Sequence, residues 1–268
     1  MLFRSLPRYP ADSPNASKLG RMNSATSSFL RYWSQFAPKA VPFVHPADAD
    51  SPYLADFELF LLPVPVVGSL SEAEAVILML NPGLDAEDVS WEQEPNFRSA
   101  VERKLSQSFP VGSHPLFYLD PVFNKHPGAG YWARSRGIPG RRDPQKLWSV
   151  IQAVARRDSV SVAAAQAHVA RKVAIVQLAP YHSAKLRRRN ALSELPSARR
   201  ARAFVQELTL EKSKLIIAAR SISEWGFSGP MNTERLVVYR PTLGASASLS
   251  ATSEGGRALV EQLSPVAA

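Results

Sequence analysis

Four short apolar runs stand out along a mostly mixed chain: Ala75–Leu80, Val173–Leu178, Lys214–Ala219 and Arg235–Tyr239. Each is about strand length and nearly continuous in apolar residues, the pattern of strands covered on both faces. Between them the period changes. Leu147, Val150, Ile151 and Val154 recur at helical spacing, as do Ala201, Phe204, Val205 and Leu208, and Ser197 after Pro196 is placed to cap the second of these helices. Strands alternating with helices predict an α/β protein, a three-layer α/β/α arrangement around a central four-stranded parallel sheet.

The flanks read differently. Residues 1–27 are rich in Ser, Arg and Pro and are expected to be a disordered tail. Residues 28–268 are expected to form one domain. Its N-terminal part, residues 28–66, carries Phe29, Tyr32, Trp33 and Phe36 ahead of several prolines, which suits a helical arm packed on the sheet. Residues 84–146 make an unusually long first crossover, with aromatic pieces such as His114-Pro115-Leu116-Phe117-Tyr118, and connections of that length are often functional.

In a parallel sheet, the residues just beyond each strand line one common edge, the edge where ligands bind. Asn81-Pro82-Gly83 comes after the first run, and Pro then Gly suits a tight turn in which Gly supplies a positive φ. The second run ends in Gln177 and leads into Pro180-Tyr181-His182-Ser183; Arg220-Ser221 come after the third, and Arg240-Pro241-Thr242-Leu243 after the fourth. Asn81, Gln177, His182, Arg240 and Thr242 are therefore candidates for one pocket, with the amide, imidazole and cation needed to read the edge of a base-like heterocycle. Each has a plainer alternative: His182 as a surface or capping residue, Arg240 as a partner of Glu234, Gln177 as a satisfier of loop backbone.

Composition narrows the chemistry. The 268 residues include no cysteine, which excludes disulfides, thiolate metal sites and cysteine nucleophiles, and makes an intracellular, cytoplasmic location the economical expectation. The five histidines are scattered, with no metal-binding spacing and none of the usual phosphate-loop motifs alongside, so no metal and no cofactor are expected. No apolar run is long enough to span a membrane. The net charge of +9 favours a polyanionic partner. Basic residues gather at Lys185, Arg187, Arg188 and Arg189 and again at Arg199, Arg200 and Arg202, either as a rim that grips phosphates or as an ordinary solvated face.

The order strand–Asn-Pro-Gly, strand–Gln-x-x-Pro-Tyr, strand, strand–Arg-Pro-Thr resembles the uracil-DNA glycosylase superfamily over roughly residues 70–265. Asn81-Pro82-Gly83 matches that family's first motif, whereas Arg240-Pro241-Thr242 stands where the family has His-Pro-Ser or Asn-Pro-Ser, and Gln177 where it has an Asn against the base. The resemblance implies a monofunctional, monomeric hydrolase of base excision repair that cleaves the N-glycosidic bond of uracil or another damaged base in DNA, with no cofactor and no membrane. It implies that Asn81 positions the attacking water, and that Arg240 or His182 donates to the leaving base. Pro82, Gly83, Gln177, Tyr181 and Thr242 would surround the base, Trp91 or Phe97 would stack on it, and Leu243 would be the wedge left in the duplex. Two alternatives stand beside it: a catalytically inactive nucleic-acid-binding protein on the same fold, and an enzyme acting on a free nucleoside.

Overall fold

The computed structural model describes residues 23–37, 41–133, 146–187, 189–240 and 249–266, with the backbone alone at 189–191. The class is α/β, but the sheet is larger and more mixed than the sequence suggests. Six strands, β1 (Val66–Val67), β2 (Ala75–Met79), β3 (Val173–Gln177), β4 (Leu215–Ala218), β5 (Met231–Thr233) and β6 (Leu236–Val238), lie in the order β1-β3-β2-β4-β6-β5. β3, β2, β4 and β6 pair parallel with one another, and β1 and β5 add antiparallel edges on β3 and β6. The four inner strands are the four apolar runs, buried along nearly their whole length. The two edges escape the hydrophobic pattern because β1 is two residues long and β5 is wholly exposed.

Helices α1 (Ser24–Trp33), α2 (Asp88–Gln93), α3 (Pro95–Ser106), α4 (Pro127–Trp132), α5 (Trp148–Asp158), α6 (Val162–Lys172), α7 (Pro196–Glu211) and α8 (Glu254–Gln262) surround the sheet. The connection from β2 to β3 and the one from β3 to β4 run in opposite directions along the sheet. Right-handed crossovers therefore put α5 and α6 on one face and α7 on the other. α8 joins the first layer, packing on α5, β4 and β6, while α1 packs on α7 with Phe29 stacked on Phe204 at 4.4 Å. α1 begins at Ser24, so residues 24–27 belong to a helix, capped by Asn23, rather than to the tail. Among the described residues no helix is long and apolar enough to cross a membrane.

The start of α7 also differs from the sequence reading. Pro196 is its first residue and Leu195 its N-cap, whose side chain makes no capping bond. The backbone N–H of Ser197 is satisfied instead by Asp48 Oδ1 at 2.9 Å, a partner from the N-terminal arm. The same carboxylate accepts from the Tyr181 hydroxyl at 2.6 Å, and that hydroxyl accepts from the backbone N–H of His45 at 3.1 Å. One buried carboxylate thus ties the arm to α7 and to the loop after β3.

Candidate active site

A cavity of about 890 Å³ opens at the carboxyl ends of the parallel strands. The chain leaves β2 towards β3 and leaves β4 towards β6, so the crevice above β2 and β4 is a switch point of the sheet, where open α/β sheets hold ligands. Asn81, Pro82 and Gly83 from the end of β2, Gln177 from β3, His182 beyond it and Arg220 and Ser221 beyond β4 form the sheet side of the wall. The long first crossover folds over as the other side, through Phe97, Lys104, Phe117, Tyr118, His126 and Tyr131 among others.

The turn after β2 has the geometry its residues require: Gly83 has φ of +67°, a value that favours glycine. Two side-chain bonds hold it. Asn81 Nδ2 donates to Ser183 Oγ at 3.0 Å, and His182 Nδ1 donates to the Gly83 carbonyl at 2.9 Å. With its Nδ1 proton committed to Gly83, His182 acts as a positioning group for the turn. Burial, reinforced by the charge of nearby Lys104, holds its pKa down to about 4, so the ring is neutral at pH 7. Gln177 is buried and its Oε1 has no hydrogen-bond partner among the described residues.

The crossover wall concentrates ionisable groups. His126 caps α4 by accepting the Gly128 N–H on Nδ1 at 2.9 Å, which leaves its single proton on Nε2, 3.6 Å from Asp88 Oδ1. That spacing suggests an ion pair, but burial holds His126 down to about 4, so the contact is between a neutral ring and a carboxyl. Burial raises the pKa of Asp88 and of Glu92, the latter despite its 3.2 Å contact with Arg98. Lys104 is fully buried with Nζ 5.1 Å from the centre of the Phe117 ring and without a hydrogen-bond partner among the described residues. Burial draws its pKa down to about 7 against the opposing pull of Glu92.

The residues singled out in the sequence divide clearly. Asn81, Pro82, Gly83, Phe97, Gln177 and His182 come together on the wall. Phe97 offers little face for stacking, because His126 lies flat on it with ring centres 4.5 Å apart. Trp91 packs behind, against Phe97, Phe123 and His126, and is not a wall residue. Tyr181 is committed to Asp48 and is likewise outside the wall. Arg240 is exposed at the end of β6 and also not a wall residue; Glu234, its suggested partner, lies 3.7 Å from Arg235. Arg220, after β4, takes the place on the wall, with Nη1 3.4 Å from the Tyr131 hydroxyl.

Of the basic rim, Lys185 and Arg187 are exposed. Arg199 donates to the Glu194 carbonyl at 2.8 Å, Arg200 pairs with Glu207 at 3.1 Å, and Arg202 donates to the Glu224 carbonyl at 2.6 Å. Arg188, Thr242 and Leu243, together with the side chain of Arg189, lie outside the described residues. Among the described residues no cluster of three or more His, Asp or Glu side chains is placed to hold a metal ion.

Sequence reasoning places Arg220 at the sheet edge without giving it a role, and does not single out Lys104, Asp88, Glu92, His126 or Tyr118. One of them leaves a signal. Phe97, Ala100, Val101 and Lys104 form the buried stripe of α3, so a lysine occupies a core position of an amphipathic helix. No family model, no curated protein and no solved structure matches the chain.

Proposed function

We propose that the chain is a DNA glycosylase-like hydrolase on a uracil-DNA glycosylase-like fold, cleaving the N-glycosidic bond of uracil or another damaged base. The observation that carries this reading is Asn81, held by Ser183 at the carboxyl end of β2, on the wall of a large cavity shared with the Oε1 of Gln177, which is unpaired among the described residues. A base must leave the helical stack before its glycosidic bond can be reached, and a cavity at the switch point is a suitable receptacle. With Nδ2 engaged by Ser183, the carbonyl oxygen of Asn81 is the group free to orient a water at the sugar. An amide is a weak base, so the rate must come from stabilising the charge that develops on the departing base. DNA is the proposed partner, and repair by base excision the proposed role.

One observation favours the alternative of a free nucleoside. Arg199 and Arg200 are paired with neighbouring glutamates, and the cavity wall itself carries Asp85, Glu87, Asp88 and Glu92. A phosphate-gripping rim would be expected to present unpaired cations instead.

The deciding experiment measures base release from single- and double-stranded oligonucleotides carrying uracil, xanthine or hypoxanthine, beside the matching free nucleosides. Release from oligonucleotides supports the glycosylase. Release from nucleosides alone supports the alternative. Salt-sensitive oligonucleotide binding with no release from either would mean a binding protein.

A further inference from the structure

Lys104 makes no hydrogen bond through its Nζ among the described residues. It stands in the apolar stripe of α3, where a methionine or leucine would pack without burying a charge. Its Nζ and the Oε1 of Gln177 are buried, lack hydrogen-bond partners among the described residues, and belong to residues that line the same cavity, Lys104 from the crossover side and Gln177 from the sheet side. Buried polar atoms are rarely left unpaired, and such exceptions call for an explanation. A ligand bound between them that carries a carbonyl oxygen and an N–H would satisfy both, the oxygen accepting from Lys104 and the N–H donating to Gln177. An oxo-substituted base carries both groups.

Building on the hydrolase reading above, we propose that Lys104 is a catalytic residue that holds the carbonyl oxygen of the leaving base and stabilises the negative charge it acquires. As the C1′–N bond breaks, its electron pair passes to the base and is delocalised onto that oxygen, against the Lys104 ammonium. A water oxygen bonds to C1′, and the proton that water loses ends on the base, so the products are a free neutral base and a sugar hemiacetal. Arg240, exposed at the end of β6, is not a wall residue.

The charge on Lys104 is set by its surroundings. Glu92 on α2 draws it towards the protonated form, while Arg98 neutralises Glu92 in part. His126 at the head of α4 and His182 after β3 are held neutral, and both feel the lysine. Tyr118 and Asp88 complete the cluster, the tyrosine with its hydroxyl held in the neutral form by burial and by both carboxylates. With its pKa at about 7, Lys104 is charged below that pH and neutral above it.

The test is single-turnover base release from oligonucleotides carrying uracil or 5-fluorouracil, across about pH 6 to 9, for the wild type, Lys104→Met and Lys104→Arg. The wild-type rate should fall as pH rises through about 7. Lys104→Met should lose roughly 100-fold or more on uracil, the scale of one oxyanion donor, and much less on 5-fluorouracil, whose anion leaves more easily. Lys104→Arg should keep most activity and lose the alkaline decline, since guanidinium stays charged. Release by Lys104→Met at the wild-type rate, or a flat wild-type profile, would overturn the role of Lys104 while leaving the hydrolase reading intact. No release by the wild type from any oligonucleotide would overturn both.

Discussion

Asn81 Nδ2 donates to Ser183 Oγ at 3.0 Å, joining the end of β2 to the loop after β3, its neighbour in the sheet. The adjacent bond from His182 Nδ1 to the Gly83 carbonyl doubles the connection. Two consecutive residues of one loop thus fix the amide plane of Asn81 and the turn that carries it. Ser183→Ala removes the hydroxyl alone. A neutral hydrogen bond contributes about 1 kcal/mol, so base release should slow about fivefold with KM little changed. Steady-state kinetics check this; an unchanged kcat would mean that Ser183 does not position Asn81.

Tyr181 is expected to matter for stability and not for chemistry. Its hydroxyl bridges Asp48 and the His45 N–H, and Asp48 in turn holds the first turn of α7. Tyr181→Phe removes a bond to a charged group and should cost about 2 kcal/mol of unfolding free energy. Base release below the unfolding transition should be unchanged. Denaturant titration beside an activity assay separates the two.

Two of the buried histidines, His126 and His182, give stability a defined pH dependence. Both are held down to about 4 from an ordinary value of 6.5. Below about pH 6.5 the unfolded chain binds protons there that the folded one refuses, so stability is lost as pH falls towards 4 and is fully present above 6.5. One histidine shifted this far accounts for roughly 3 kcal/mol over that window. Denaturant titrations at several pH values should show a shallower slope for His182→Asn than for the wild type.

Gly128 is a packing constraint on the cavity wall. A Cβ built there would lie 2.2 Å from Cε1 of Tyr118, itself a wall residue. Gly128→Ala must push the tyrosine ring, and overpacking of this kind costs about 1–3 kcal/mol. Loss of stability together with reduced base release is expected, and restoration of both by adding Tyr118→Leu, which vacates the contact, would identify the ring as the cause.

The inner strands are legible in the sequence because each is a continuous apolar run. Asn81, Gln177 and His182 are legible because parallel strands deliver their carboxyl-terminal residues and the loops beyond to one edge. The helical stripes Val150-Ile151-Val154 and Ala201-Phe204-Val205-Leu208 likewise mark buried faces of α5 and α7. The outer strands are not legible: β1 is too short to show a pattern, and β5 buries nothing. Nor is the partner of the Ser197 N–H, since Asp48 lies 149 residues away in the chain. The crossover half of the site depends on how a long irregular segment folds over the sheet, which local periodicity does not encode. Arg240 and Arg220 both come just after strands, and strand order alone could not say which joins the wall.

The most direct test of the account is the yield of abasic sites, revealed by alkaline strand cleavage, from a uracil-containing oligonucleotide treated with the wild type or with Asn81→Ala. The account predicts cleavage by the wild type and at least about a hundredfold less by Asn81→Ala, with both proteins equally folded by circular dichroism. Equal cleavage by the two would contradict the assignment of Asn81, and no cleavage of any substituted base by the wild type would contradict the hydrolase itself.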